Sequence, residues 1–502
     1  MTAMAHPVPR RVRTIVAAMV LAGAVATAPL AAPAPAPASA AAVGEPTIEA
    51  QAFDIDLGQQ LTVTFELPPG VRTTGFAAGT VLRLTTHERL DDREALLNAL
   101  DGALGNEEGS LSIPLDPGGI DPAVVTYPTE STVALTVPTL TSLQSADDVR
   151  PTSEDADAST GEAAAAATPL MFSRPGVHAV EIALVVGGHA VADTTTFVRI
   201  VDPAIEIGDM SVAIVMGQTT APTITSDGSV SVTADNVDEL TRLADTLEGI
   251  DGVSAALGSP DQTIPRAVFV EPSTLQALLV SDPELGARLV RGLTSSQVIP
   301  GPLVPFEPSA AAASGQVDRY TELLTAGEDL LGQLLPRTDI GRTVQIVREP
   351  FTTAAAEMQR KNVGARLMVM GFDLYSRTSG GNGAFTDTSQ LVRIALPDDT
   401  EALTSLVDPH IGARLADGAD TPMATAIATV ADLAVTAESI EADGGIVSRH
   451  GMVLATAGLD VPDAEMMTDL VSLIGSTRGL RLVEAATLAS TVDPLLRLGG
   501  GG

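Results

Sequence analysis

A chain of 502 residues with 63 acidic against 28 basic side chains carries a formal charge of −35, so nucleic acid and anionic lipid surfaces repel it. It contains no cysteine, which excludes disulfides, thiolate metal sites and cysteine nucleophiles. One hydrophobic core does not serve a chain this long, and two or more domains are expected.

The first 40 residues read as a cleavable signal peptide. Arg10, Arg11 and Arg13 precede an uncharged, mostly apolar run from Ile15 to Ala28, and Ala38-Ser39-Ala40 supplies the small residues of a cleavage site. That run is short of the about 20 apolar residues a membrane span needs, and Pro29, Pro33, Pro35 and Pro37 stop its extension. Cleavage after Ala40 predicts an extracellular or cell-envelope protein with no membrane span after processing, and the Arg10-Arg11 pair permits a twin-arginine route.

From 45 to 202, apolar residues alternate in short runs separated by turn signals: Leu61–Leu67, Val81–Thr86, Thr132–Val137, Val177–Val186 and Thr194–Val201. The pattern predicts an N-terminal β-sandwich, immunoglobulin-like but without the Cys…Trp…Cys framework. Within it, Asp91–Leu104 has leucines at helical spacing, and 142–168 is polar, aperiodic and expected to be a disordered insert.

After Val201-Asp202-Pro203 the rhythm changes. Short, continuously apolar runs alternate with amphipathic helices, as a buried parallel sheet requires. The predicted strands are Ser211–Met216, Ala267–Val270, Val298–Val304, Val344–Val347, Leu367–Met370, Leu391–Ala395, Met452–Ala455 and Leu480–Val483. Asn236 with Glu239 reads as a capping-box start for a helix that Gly249 ends, and Val317 to Leu335 forms another before Pro336. About eight strand–helix units over 204–495 predict a (β/α) barrel, with a doubly wound open sheet as the alternative, before a Gly-rich tail over 496–502.

Pro175-Gly176-Val177-His178 at a strand start, then Val304-Pro305-Phe306-Glu307-Pro308-Ser309, then Gly315-Gln316 and Ala326-Gly327-Glu328-Asp329, carry a family resemblance. Together they resemble an uncharacterised family of secreted actinobacterial envelope proteins. The resemblance implies a multidomain chain: an immunoglobulin-like domain followed by an α/β barrel similar to those of polysaccharide deacetylases and related glycoside hydrolases. Larger members continue into a membrane anchor, so a chain stopping at Gly499–Gly502 is expected to be a shortened or freely secreted form.

Candidate chemistry lies in acids at strand ends. Glu271-Pro272, Glu307-Pro308 and Glu349-Pro350 each follow an apolar strand, and Asp373 follows Leu367–Met370, which places all four on the C-terminal rim of a barrel. Two such carboxylates can divide the acid and nucleophile or base roles of glycosidic cleavage. The structural alternative is helix starting, since proline suits the first turn and an acid gains from the helix dipole. Phe372 and Tyr375 are the best aromatic platform for a sugar in a chain with no tryptophan. The barrel holds only His410 and His450, 40 residues apart, so no metal site, no cofactor and no deacetylase ligand set is carried over. No Gly-x-Ser-x-Gly elbow occurs, and Gly380-Gly381-Asn382-Gly383 reads as a turn. Two function classes follow. The pattern favours a non-catalytic hydrolase-like barrel that binds a cell-wall glycan or an envelope protein. The alternative is a metal-independent carbohydrate hydrolase, and convergence of the acids in one pocket, against separate helix caps, discriminates the two.

Overall fold

The computed structural model describes residues 44–115, 121–141, 168–226, 228–256, 263–336, 340–378, 387–396, 398, 400–418 and 421–498. The segments read as a signal peptide (1–40), as a disordered insert (nearly all of 142–168) and as a turn (Gly380–Gly383) lie outside them.

The described residues between 47 and 201 form ten strands: β1 (Thr47–Gln51), β2 (Asp54–Asp56), β3 (Gln60–Glu66), β4 (Val81–Arg89), β5 (Glu107–Pro114), β6 (Val125–Thr126), β7 (Thr132–Thr141), β8 (Leu170–Phe172), β9 (Gly176–Val186) and β10 (His189–Val201). One sheet runs β1-β3-β7-β6 with β8 beside β7, and the other runs β2-β10-β9-β4-β5. Alternation places them: along β3, Leu61, Val63 and Phe65 are buried while their neighbours face out. Leu82, Leu84, Val180 and Ile182 of the second sheet join the same core. The helical excursion is α1 (Arg93–Leu100), with Asp92 capping it by accepting from Ala95 N.

The second sheet system starts with β11 (Met210–Gly217). A small hairpin, β12 (Thr223–Ile224) and β13 (Val230–Ser231), precedes α2 (Ala234–Ala256). Then come β14 (Arg266–Phe269), α3 (Pro272–Ser281), α4 (Pro283–Thr294), β15 (Gln297–Ile299), α5 (Pro308–Ala313), α6 (Val317–Leu334), β16 (Val344–Val347), α7 (Thr353–Met358), β17 (Leu367–Gly371), α8 (Phe372–Thr378), β18 (Leu391–Ala395), β19 (Glu401–Val407), α9 (Pro409–Asp417), α10 (Pro422–Ala442), β20 (Gly451–Leu454), α11 (Ala464–Ser476), β21 (Leu480–Leu482), α12 (Ala485–Thr491) and β22 (Pro494–Leu498).

The order β15-β14-β11-β20-β19-β17-β16 is the chain order taken cyclically, and every pairing along it is parallel. The sheet is therefore a nearly closed parallel barrel, not a doubly wound open sheet. Its seam lies between β15 and β16, where no ladder forms among the described residues and Gln297 Nε2 reaches Thr343 Oγ1 at 3.4 Å. Alternate residues fill the interior: Ala213, Val215, Ala267, Ile299, Val344, Leu367, Val369, Val407 and Val453 form one buried cluster.

Among the described residues seven strands make the ring, against the eight units expected. Leu391–Ala395 is a strand but runs antiparallel to β19, outside the ring, and Leu480–Leu482 pairs only with the start of β11. The stave between β17 and β20 is β19, which the residue pattern passed over because Glu401, Thr404 and Ser405 interrupt its apolar run. The 298–304 strand is also shorter than expected and ends at Ile299.

Two helix signals act differently from their expected roles. Thr233, not Asn236, caps α2: Thr233 Oγ1 accepts from Asn236 N at 3.2 Å and Asn236 Oδ1 accepts from Thr233 N at 3.0 Å. The helix continues past Gly249 to Ala256. A Cβ at Gly249 would lie 2.3 Å from Thr468 Oγ1, so this glycine lets α2 pack against α11.

Helix α10 is long and apolar enough to cross a membrane by composition, yet it is the central packing helix of the chain. Ala426 to Val435 are buried, and α1, β10, α9 and α11 contact it. Charge pairs tie the two sheet systems across it. Arg93 of α1 holds Asp432 Oδ1 at 2.7 Å and Asp408 Oδ2 at 2.6 Å, and Arg89 and Arg199 both hold Glu438.

Candidate functional site

The loops after β11, β14, β15 and β16 enclose a cavity of about 290 Å³ on the C-terminal side of the barrel seam, and Glu271, Glu307 and Glu349 all line it. Glu271 and Glu307 occupy the N-cap positions of α3 and α5, each followed by a proline that starts the helix. Neither carboxylate caps its helix. The capping carboxylates belong to aspartates: Asp282, Asp408 and Asp463 each accept from amides of the first turn, Asp408 from His410 N and Ile411 N. A glutamate is one methylene longer, and here the three turn into a shared cavity. Glu349 does not start a helix either, since Thr352 caps α7.

The cavity shifts the titration of its groups. Glu271 is pushed up from 4.5 to about 7, by burial first, with Arg348 opposing and Glu307 adding to the rise. Its Oε2 is buried without a hydrogen-bond partner. Glu307 is exposed over much of its surface, yet its carboxyl is raised too, by loss of solvent first and by Glu349 second. Arg348 is pushed down to about 10 by burial, against the pull of Glu239, Asp460 and Glu271, so it stays cationic at neutral pH.

Buried Gln218 organises the wall. Its Oε1 accepts from Glu271 N at 3.2 Å, its Nε2 donates to Thr220 O at 2.6 Å, and its backbone carbonyl accepts from Arg348 Nη1. Arg348 also donates to Leu459 O at 2.7 Å and lies over the Phe269 ring at 5.1 Å. Leu459 has φ 58°, and among the described residues it is the one non-glycine with positive φ. That strain is held where its carbonyl meets the arginine. Below the wall, Glu239 accepts from Thr219 and Thr220, and these hydrogen bonds outweigh its burial and keep its carboxyl low. Gly327 of α6 lies so close to the cavity loop that a Cβ would be 2.1 Å from Gly301 O. Tyr320, pushed up to about 12 by burial, remains a neutral phenol and accepts from Gln359 Nε2 at 3.1 Å.

Asp373, Phe372 and Tyr375 do not line this cavity. Tyr375 packs among Met368, Met370 and Leu374, Phe372 lies 6.3 Å from it, and Asp373 is exposed on α8. His410 sits on α9, and His450 Nδ1 lies 2.9 Å from Ser389 Oγ at the opposite, N-terminal end of β20. Among the described residues no group of three or more His, Asp or Glu is arranged to hold a metal ion. The residue pattern did not single out Arg348, Gln218, Tyr320 or Gln359. For Arg348 a signal existed, since it is a charge placed directly after the apolar Val344–Val347 and before Glu349-Pro350.

Fold and site together define a nearly closed parallel barrel with an acid-lined cavity at its C-terminal rim. No protein-family profile matches the chain, and no curated protein sequence is significantly similar to it. Among solved structures, 4-alpha-glucanotransferase from Thermococcus litoralis is similar at 11% identity and a TM-score of 0.41, over 57% of this chain. This chain spans 41% of that enzyme. The alpha-amylase AmyC from Thermotoga maritima is similar at 8% identity and a TM-score of 0.40, over 57% of this chain and 76% of its own. A GH57-type branching enzyme from Pyrococcus horikoshii is similar at 9% identity and a TM-score of 0.38, over 57% and 72%. Likeness at this level decides nothing about chemistry, which rests on the cavity's own residues.

Proposed function

We propose that the barrel is a metal-independent, glycan-cleaving domain of an exported, cell-envelope protein whose N-terminal sheets form an immunoglobulin-like sandwich. The carrying observation is that Glu271 lines one cavity with Glu307 and Glu349, with a buried, unbonded Oε2 and a carboxyl raised to about 7. A carboxyl that titrates near 7 holds its proton about half of the time at neutral pH and still releases it, as a general acid must. Glu271 protonates the glycosidic oxygen as its bond to the anomeric carbon breaks, and the leaving sugar departs as an alcohol. Glu307 serves as the second carboxylate, either bonding to the anomeric carbon until water displaces it or taking the proton of an attacking water.

A binding-only role is the second reading. It draws on the exposure of Glu307 and Glu349 at the open edge, which leaves their carboxylates less firmly placed than Glu271. The test incubates the protein with oligosaccharides of α- and β-linked neutral and amino sugars and counts new reducing ends. The cleavage reading expects turnover that Glu307→Gln abolishes. Binding to a member of the set without any release of reducing ends would leave only the second reading.

A further inference from the structure

The question of which sugar enters the cavity rests on the glycan reading above and goes beyond it. We propose that the cavity selects a sugar unit carrying a free amino group, with its ammonium seated beside Glu307 and Glu349. Four observations lead there.

Beside the neutral phenol of Tyr320, the acidic and basic side chains lining the cavity are three glutamates and one arginine. That arginine donates through two of its nitrogens to the carbonyls of Gln218 and Leu459, and its Nε is buried without a hydrogen-bond partner. A ligand carboxylate or phosphate therefore meets three acids against a single arginine that already spends two nitrogens on carbonyls, whereas an ammonium is attracted.

The second observation concerns hydrogen-bond supply. Gln359 lines the cavity, is only 3% exposed, and its Oε1 has no hydrogen-bond partner. Glu271 Oε2 is likewise buried without a partner and is an acceptor when its carboxyl is ionised. Buried acceptors left unpaired cost free energy until a donor arrives, and an ammonium brings three donors where a hydroxyl brings one. Gln359 begins a five-residue π-helical turn, Gln359–Val363, directly after α7, a backbone form that concentrates at functional sites.

Third, aromatic residues accompany the acids. Phe306 precedes Glu307 and Phe351 follows Glu349 by two positions, and both line the cavity. An aromatic ring that borders carboxylates adds to the attraction of an organic cation over a neutral sugar wherever its face is met. Fourth, the acids repel one another: Glu349 raises Glu307, and Glu307 raises Glu271. A cation placed among them relieves that repulsion, which a neutral ligand leaves in place.

The test uses Glu271→Gln to prevent turnover and measures calorimetric binding at pH 6 of three tetrasaccharides of one linkage: glucosamine, N-acetylglucosamine and glucose. The free-amine tetrasaccharide is expected to bind about ten-fold or more tightly than either neutral one, with the preference weakening in salt. Adding the exposed Glu349→Gln change should bring the three within about three-fold of one another. Equal or tighter binding of a neutral tetrasaccharide overturns the amine preference and leaves the glycan reading standing. Absence of binding by all three at millimolar concentration overturns both.

Discussion

Glu271→Gln is expected to lower the rate of glycosidic cleavage about a hundred- to ten-thousand-fold, the span that a positioned general acid contributes. The loss should shrink for substrates with an activated aryl leaving group, which departs without a proton. In the wild type, the rate should fall about ten-fold per pH unit above 7, because Glu271 acts in its protonated form and titrates at about 7. The variant lacks that limb.

The same shift fixes a stability signature. Folding raises the Glu271 pKa from 4.5 to about 7, so the native state holds the proton more tightly than the unfolded chain. The resulting stabilisation is complete below about pH 4.5 and is lost as pH rises to about 7. At pH 8 the buried carboxylate costs on the order of 2 kcal/mol after allowance for its partial exposure. Glu271→Gln should therefore match the wild type at pH 4 and exceed it at pH 8 in urea denaturation. A variant less stable than the wild type at pH 8 would contradict the burial that makes Glu271 an acid.

The largest stability loss is expected at the junction of the two sheet systems. Asp408 is 1% exposed and Asp432 is fully buried, and Arg93 bonds to both. Removing one partner of a buried charge pair leaves uncompensated charge in a low dielectric, at a cost of about 3–5 kcal/mol. Arg93→Ala should fall at the lower end. Asp408 keeps Thr388 Oγ1 at 2.6 Å and two helix amides, and Asp432 keeps Arg414 at 3.3 Å. Burial would raise the Asp408 carboxyl, and Arg93 is the leading reason that it stays below its ordinary value instead. A lowered carboxyl stabilises the fold above its unfolded pKa and loses that stabilisation as pH falls. Without Arg93 the carboxyl rises and takes up a proton more readily, so the deficit of the variant at pH 7 should shrink toward pH 4.5. Combining Arg93→Ala with Asp408→Asn should cost less than the sum of the two changes. A deficit below about 1 kcal/mol at pH 7 in urea melts would show that the pairs contribute little.

How far the residues foretell this molecule differs from part to part. Part of the barrel's rim was legible: Glu271-Pro272 marks a strand end and a helix start at once, whereas β15 ends at Ile299, well before Glu307, and Glu349-Pro350 does not start a helix. Whether those acids cap helices or enter a cavity was not, since both outcomes require the same residues. The aspartate at Asp408-Pro409 carries nearly the same signal as Glu271-Pro272 and does the opposite: it caps α9 and anchors Arg93. Side-chain length decides, and only the folded geometry displays the result. The number of staves was misread because β19 hides polar Thr404 and Ser405 within a buried strand, while β18 is apolar without belonging to the ring. Long-range partners such as Gln218 for Arg348, 130 positions apart, leave no local trace.

Everything proposed for the cavity depends on the proton of Glu271, and its carboxyl carbon can be titrated directly by carbon-13 NMR in the unliganded protein, with Glu271→Gln assigning the resonance. The expected midpoint is about pH 7, moving lower in Glu307→Gln as the neighbouring charge is removed. A midpoint between 4 and 5, unchanged by Glu307→Gln, would contradict it.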